Sequence, residues 1–277
     1  MNTINCRGEL IDLSSPKIMG ILNITPDSFF DGARYNDQAS ILKQVDKMLN
    51  EGATFIDVGA YSSRPGAMHI SEEQELNRIL PVIHLLVKNF PAIIISIDTF
   101  RSKIAEQCIH AGASMINDIS GGNADSNMFS TAVKLQVPYI MMHMQGTPQN
   151  MQDAPQYTNI TQEILFELSK KSAKLKKLGL NDLIVDLGFG FGKTIAHNYE
   201  LLNNLDFFHQ LNCPILTGIS RKSMLYKPLN ISANKAINAT TVAHTIALLK
   251  GSKILRVHDV KEAMQAITIT ALLPSIS

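Results

Sequence analysis

Eight times along this chain a short apolar run, rich in β-branched residues, gives way to a longer amphipathic segment. The runs are Lys17–Asn23, Thr54–Ala60, Ile93–Thr99, Met115–Ser120, Pro138–Met144, Leu183–Gly190, Pro214–Ser220 and Ile254–Val260. Most are nearly continuous in Ile, Val, Met and Leu, the pattern of strands buried on both faces. The segments between them repeat apolar residues at helical spacing. In Gln38–Asn50, for example, Ile41, Leu42, Val45, Met48 and Leu49 fall on one side. Gly52, Gly112, Gly179 and Gly251 each sit just past such a segment and just before a run, where a helix end calls for glycine. Ser71-Glu72-Glu73-Gln74 has the spacing of a capping box at a helix start.

Eight strand–helix units in 277 residues predict an α/β fold, and the length suits a (β/α)8 TIM barrel of roughly 250 residues. An open doubly wound sheet is the alternative. Residues 3–13 precede the first run and are expected to form a short N-terminal capping segment on the barrel's bottom. No linker, repeat or low-complexity tract divides the chain, so residues 1–277 are read as a single domain.

Composition narrows the function. Hydrophobic residues make up 45% and charged residues 18%, enough apolar material for a large core. The formal net charge is +1, without the basic excess a nucleic-acid binder carries. Cys6, Cys108 and Cys213 are far apart and odd in number, which argues against a disulfide framework and against zinc. No apolar run reaches the roughly 18 residues of a membrane span, and the first residues lack the apolar stretch of a signal peptide. A cytoplasmic enzyme is expected.

In such a barrel the active site lies at the C-terminal ends of the strands. Every run here ends on polar groups: Asn23; Ser62, Ser63 and Arg64; Asp98; Asn117 and Asp118; His143; Asp186; Ser220, Arg221, Lys222 and Ser223; and Arg256, His258 and Asp259. Eight such ends are hard to explain by solubility, because unpaired charges in a partly buried rim are unfavourable. Asp98, Asn117 and Asp186 suit the N–H edge of a flat heterocycle. Arg64, Arg256 and His258 suit phosphate oxygens. Asn23 offers a neutral oxygen to Mg2+, and Phe29 and Phe191 could cover a reactive centre. The residues alone point to a barrel enzyme for a phosphorylated heterocycle.

The motifs also resemble a family. Met19-Gly20-Ile21-Leu22-Asn23-Ile24-Thr25-Pro26-Asp27-Ser28-Phe29 and Ser62-Ser63-Arg64-Pro65-Gly66 resemble the two signatures of dihydropteroate synthases. Ile97-Asp98-Thr99, Ile116-Asn117-Asp118-Ile119, Met142-His143-Met144-Gln145-Gly146, Gly188-Phe189-Gly190-Phe191-Gly192-Lys193, Ser220-Arg221-Lys222-Ser223 and Arg256-Val257-His258-Asp259 follow in family order. The resemblance spans essentially the whole chain. It implies a homodimeric, Mg2+-dependent and sulfonamide-targeted transferase of folate biosynthesis. Its reaction joins (7,8-dihydropterin-6-yl)methyl diphosphate to 4-aminobenzoate by an SN1-like displacement of pyrophosphate.

The resemblance further implies roles. Asn23, Asp98, Lys222, Arg256 and His258 would be catalytic. Asp98, Asn117, Ile119, Met142, Asp186, Gly218, Lys222 and Arg256 would hold the pterin. Asn23, Ser63, Arg256 and His258 would meet pyrophosphate, with Asn23 on the metal. Phe29, Ser63, Arg64, Pro65, Phe191 and Ser223 would hold 4-aminobenzoate. Loops at about residues 24–36 and 61–70 would close over the substrates. A pterin-binding barrel that passes a methyl group to a corrinoid, and a non-catalytic barrel scaffold, are the alternatives.

Some positions depart from the family's usual pattern. Tyr61 takes the place of a carboxylate, Ser63 of a threonine and Leu187 of a proline, while Phe100 and Arg101 follow Thr99 where smaller or lysine-bearing forms are common. Four strand-end groups also have plain structural readings. His143 suits a core hydrogen bond, Arg221 a supporting contact, and Asp118 and Asp259 pairing with backbone or arginine.

Overall fold

The computed structural model describes residues 3–24, 38–62, 69–147, 151 and 155–274. Among them a two-stranded antiparallel hairpin, β1 (Thr3–Cys6) and β2 (Glu9–Asp12), leads into β3 (Lys17–Asn23). From there strands and helices alternate. α1 (Gln38–Asn50) and β4 (Phe55–Gly59) come first, then α2 (Glu72–Asn89), β5 (Ile95–Asp98) and α3 (Ser102–His110). β6 (Met115–Asp118), α4 (Met128–Leu135), β7 (Tyr139–Met142), α5 (Ile160–Lys177) and β8 (Leu183–Asp186) follow. The chain then runs through α6 (Ile195–Asn203), β9 (Ile215–Thr217), α7 (Ser223–Tyr226), α8 (Ile237–Leu249), β10 (Ile254–Val257) and α9 (Val260–Ala271). β3 to β10 pair in parallel and in sequence order, and β10 closes on β3. The expected closed barrel is what forms; the open sheet is excluded.

Helix ends obey local chemistry. The capping box at Ser71 is complete: Ser71 Oγ accepts from Gln74 N at 3.1 Å and Gln74 Oε1 from Ser71 N at 2.9 Å. Gly52, Gly112, Gly179 and Gly251 all adopt left-handed backbone, with φ between 87° and 122°. The strands are shorter than the apolar runs. The run Leu183–Gly190 pairs only as far as Asp186, because glycines at left-handed φ turn the chain out of the ladder from Gly188 onward.

Two apolar cores result. The outer one lies between the barrel's outside and its helices, with Ile18, Ile56, Ile97, Ile116, Val185 and Leu255 among its strand residues. The inner one fills the lower barrel: Met19, Phe55, Ile94, Met115, Ile140, Ile184, Leu216 and Ile254 pack with Ile4, Cys6, Ile11 and Leu13 of the hairpin segment. The N-terminal segment therefore plugs the bottom, as expected. The upper mouth is left to the polar ends of the strands.

Candidate active site

Side chains two residues apart on a strand face the same side. Above Phe55, Met115, Ile184 and Ile254, which lie in the inner core, the next inward positions are Asp57, Asn117, Asp186 and Arg256. These four come from alternate strands, β4, β6, β8 and β10, and make one layer of the barrel interior. On the other four strands the same step from Ile21, Ser96, Ile140 and Leu216 leads to Asn23, Asp98, Met142 and Gly218. Asn23, Gly59, Asp98 and Asn117 are register partners across β3, β4, β5 and β6.

Arg256 is the hub. Its Nε donates to Asp57 Oδ2 at 2.6 Å and a terminal nitrogen donates to Asp98 Oδ2 at 2.7 Å. Asp57 Oδ2 also accepts from Nδ2 of Asn117 at 3.1 Å. Asp57 is fully buried, and its Oδ1 has no partner among the described residues. A carboxylate there is worth its desolvation only because Arg256 faces it. Gly59 makes room above: a Cβ at Gly59 would lie 3.3 Å from that of Asp98.

Burial pushes the Asp98 carboxyl up to about 7, against the pull of Arg256. Burial also raises Asp186, against the pull of Lys222. The same desolvation lowers the Lys222 ammonium to about 8, although Asp186 opposes it. For Arg256 burial works against the charge, but Asp57 and Asp98 outweigh it and hold the guanidinium above its ordinary value.

Lys222 reaches the mouth from the loop after β9. Its Nζ donates to the carbonyl of Phe189 and lies 4.5 Å from the centre of the Phe191 ring. Asp186 Oδ1 accepts from Gly188 N at 2.8 Å. The Gly188–Gly192 loop thus touches both the acid and the lysine of the floor. Ile119 and Met142 form an apolar patch with Met144 and Met151, against which Phe100 and Phe191 pack. Gly218 leaves space: an added Cβ would be 3.7 Å from Asp186 Oδ2, ordinary contact, so none of the described residues demands glycine there.

Asn23 is half-buried at the end of β3. Ser223 is half-buried as the first residue of α7, directly after Lys222. His258 is exposed, with Nδ1 3.0 Å from Ser220 Oγ. Phe29, Ser63, Arg64 and Pro65, and most of the two expected loops, lie outside the described residues.

The plain structural readings hold for four strand-end groups. Asp259 takes both prongs of Arg221, at 2.8 and 2.6 Å. Asp118 accepts from Tyr139, Ser120 and Gly122. His143 faces Lys193 and Glu167. Tyr61, in place of a carboxylate, packs edge-on against Phe100 at 4.9 Å. The buried acid behind this region is Glu75 of α2, which accepts from Thr99 at 2.7 Å and from Arg101 at 2.6 Å.

Asp57 is the residue that reading strand ends misses. It sits mid-run in Phe55-Ile56-Asp57-Val58-Gly59. Its signal is parity: it falls on the same inward register as Asn117, Asp186 and Arg256.

Comparison with known proteins gives the family and supports the barrel fold. Residues 19–258 match the pterin binding enzyme family. The dihydropteroate synthase of Escherichia coli K12 is 40% identical over 95% of this chain and 93% of its own length. A crystal structure of the Yersinia pestis dihydropteroate synthase with a sulfonamide drug complex superposes with a TM-score of 0.91, at 40% identity, covering 97% of this chain and 98% of that one. The Xanthomonas albilineans dihydropteroate synthase with 4-aminobenzoic acid also gives a TM-score of 0.91, at 33% identity over 99% of each chain.

Proposed function

The chain belongs to the dihydropteroate synthase family, and we propose that it joins (7,8-dihydropterin-6-yl)methyl diphosphate to 4-aminobenzoate, releasing pyrophosphate and 7,8-dihydropteroate. The observation that carries this is the convergence of Asp57, Asp98, Asn117, Asp186, Lys222 and Arg256 at one barrel mouth. Three carboxylates and a carboxamide make a floor of acceptors. A flat pterin with an amidine-like N–H edge would satisfy them, and Lys222 would donate to the ring's oxygen and nitrogen. Ile119 and Met142 would pack on the ring. Arg256 would lie over it, already oriented by Asp57 and Asp98.

In this reading the C–O bond to the diphosphate breaks first, and its electron pair leaves with the pyrophosphate. Arg256, Ser63 and His258 would stabilise that charge as it forms. Asp98 and Asp186 would favour the cationic methylene left on the pterin. The aromatic amine then forms the C–N bond and its proton passes to water. No strong base is needed, because the attacking group is a neutral aromatic amine. Phe29, Ser63, Arg64, Pro65, Phe191 and Ser223 would line the 4-aminobenzoate side.

Mg2+ fits here as a cation shared with substrate. Among the described residues no group of three His, Cys, Asp or Glu could hold an ion unaided. Asn23 would therefore supply one neutral oxygen, and diphosphate and water the rest. When bound, the ion would neutralise charge on the leaving diphosphate.

The wider setting follows from the surface. Cys6, Cys108 and Cys213 are free and buried, as suits a reducing cytoplasm. Among the described residues no helix is long and apolar enough to cross a membrane. α8 and α9 pack on each other, yet both expose large apolar side chains: Val242, Ile246 and Leu249 on one, Ile269 on the other, and Leu272 and Leu273 just beyond. Such a face is suited to a second copy of the chain, so a homodimer is proposed.

The test is direct. Purified protein is incubated with the pterin diphosphate, labelled 4-aminobenzoate and Mg2+. Labelled dihydropteroate and one pyrophosphate per turnover are expected. Failure to form either would refute the reaction, and methyl transfer to a corrinoid would assign the chain to the neighbouring chemistry.

A further inference from the structure

One buried cation has no part in the chemistry above. Lys193 closes the Gly188–Gly192 loop, is only 4% exposed, and folds back beneath it. Its ammonium donates to the carbonyl oxygens of Gly188 and Phe191, both at 2.9 Å, and of His143 at 3.3 Å. A fourth acceptor, His143 Nδ1, is 3.0 Å away. An ammonium has three N–H groups and no lone pair, so a charged Lys193 shares its protons among these four acceptors, with Nδ1 as the unprotonated ring nitrogen. The ring proton then sits on Nε2, 3.3 Å from the carboxylate of Glu167. Glu167 in turn pairs with Lys171 at 2.7 Å.

A buried ammonium is unfavourable without partners, and a methionine would fill the same space. The loop shows what the lysine supplies. Gly188 and Gly192 lie so close to the end of β7 that an added Cβ would meet His143 O at 1.9 Å and Gln145 O at 2.6 Å. Both are in left-handed backbone, a conformation that helical or strand hydrogen bonds do not maintain. Lys193 ties the loop from behind by two of its carbonyls. In front, the same loop presents Gly188 N to Asp186, the Phe189 carbonyl to Lys222, and the Phe191 ring to the Lys222 ammonium.

We propose that Lys193 is a positioning residue: by holding the Gly188 and Phe191 carbonyls from beneath, it fixes the loop that orients Asp186, Lys222 and Phe191. Its effect on turnover rests on the synthase reading. The anchoring itself is readable without substrate.

The test uses the full chain as Lys193→Met, which keeps length and loses the protons, and as Tyr157→Phe. The latter removes only the hydroxyl that donates to Gly192 O at 3.0 Å. Hydrogen exchange of residues 187–193 is followed without ligand, and steady-state constants are measured for both substrates. In Lys193→Met, exchange in the loop is expected to quicken about tenfold while distant strands stay protected. The KM values for pterin diphosphate and 4-aminobenzoate are expected to rise about tenfold. Tyr157→Phe is expected to move both readouts the same way, by about threefold.

A merely structural lysine would reduce the amount of active protein and so kcat, leaving KM and loop exchange unchanged; that result overturns the proposal. If Lys193→Met does not fold, Tyr157→Phe decides, and unaltered exchange and KM in it overturn the proposal equally. If the wild-type chain shows no turnover, the synthase reading fails by itself. Loop exchange then still supports the anchoring if it quickens and refutes it if it does not.

Discussion

Asp57 holds Arg256 from below, its Oδ2 taking the Nε proton at 2.6 Å while Asp98 takes a terminal N–H at 2.7 Å. The guanidinium is therefore fixed by two carboxylates on two strands before any substrate arrives. Preorganised charge of this kind needs no rearrangement as the leaving group departs. Asp57→Asn breaks the charge-assisted half of the clamp. Hydrogen bonds to charged groups contribute about 1.5–3 kcal/mol, so kcat/KM is expected to fall by about 10- to 100-fold. Steady-state assay beside circular dichroism checks this; full activity in a folded Asp57→Asn would show that the clamp is idle.

Arg256→Ala removes the other partner and strands a fully buried carboxylate. Breaking a buried pair on one side destabilises by about 3–5 kcal/mol, and the lower end applies because Arg256 is partly open to solvent. Thermal melting should show the loss, and the double variant Asp57→Asn/Arg256→Ala should recover much of it. Turnover should remain low in both, with the KM for 4-aminobenzoate little changed. A variant that chiefly weakens 4-aminobenzoate binding would overturn the assignment of Arg256 to pterin and diphosphate.

The titrating groups of the floor set a pH profile. Asp98 is raised to about 7 by burial, so its acceptor carboxylate is lost as pH falls through that value. Lys222 is lowered to about 8 by burial, so its donor ammonium is lost as pH rises through that value. kcat/KM is expected to be bell-shaped with limbs near these two values. Asp98→Asn should abolish the acid limb and weaken pterin binding by about 1–3 kcal/mol. Calorimetric titration with a pterin and a pH series on the variant check both; an unmoved acid limb would remove Asp98 from that role.

Much of this was legible in the sequence because both periodicities are plain. The eight apolar runs gave the barrel, and the glycines after the helices marked where strands begin. Asn23, Asp98, Asn117, Asp186 and Arg256 are legible because they lie at strand ends, whereas Met142 and Gly218 are named only through the family resemblance. Asp57 was not, since a charged residue inside a buried strand shows its role only when its inward parity is compared with three other strands. Lys193 closes a glycine-rich motif, but three of its four acceptors are carbonyls, which carry no side-chain signature. His258 lies just past the end of β10 and is exposed beside Ser220, an exposure that spacing alone does not encode.

The exposed apolar side chains of α8 and α9 give a prediction of assembly. Leu249 is 58% exposed and Val242 is 55% exposed, on a helix whose other side is already buried. Leu249→Glu should convert a dimer to a monomer in sedimentation velocity with little change in melting of the monomer. An unchanged sedimentation coefficient would place the interface elsewhere.

The most direct measurement is a crystal structure of the protein with 7,8-dihydropteroate. The pterin should lie on Asp98, Asn117 and Asp186, with Lys222 on its ring oxygen and Arg256 across its face, and the benzoate should extend toward Phe191. Density for the ligand away from these side chains, or none at saturating concentration, would contradict the account.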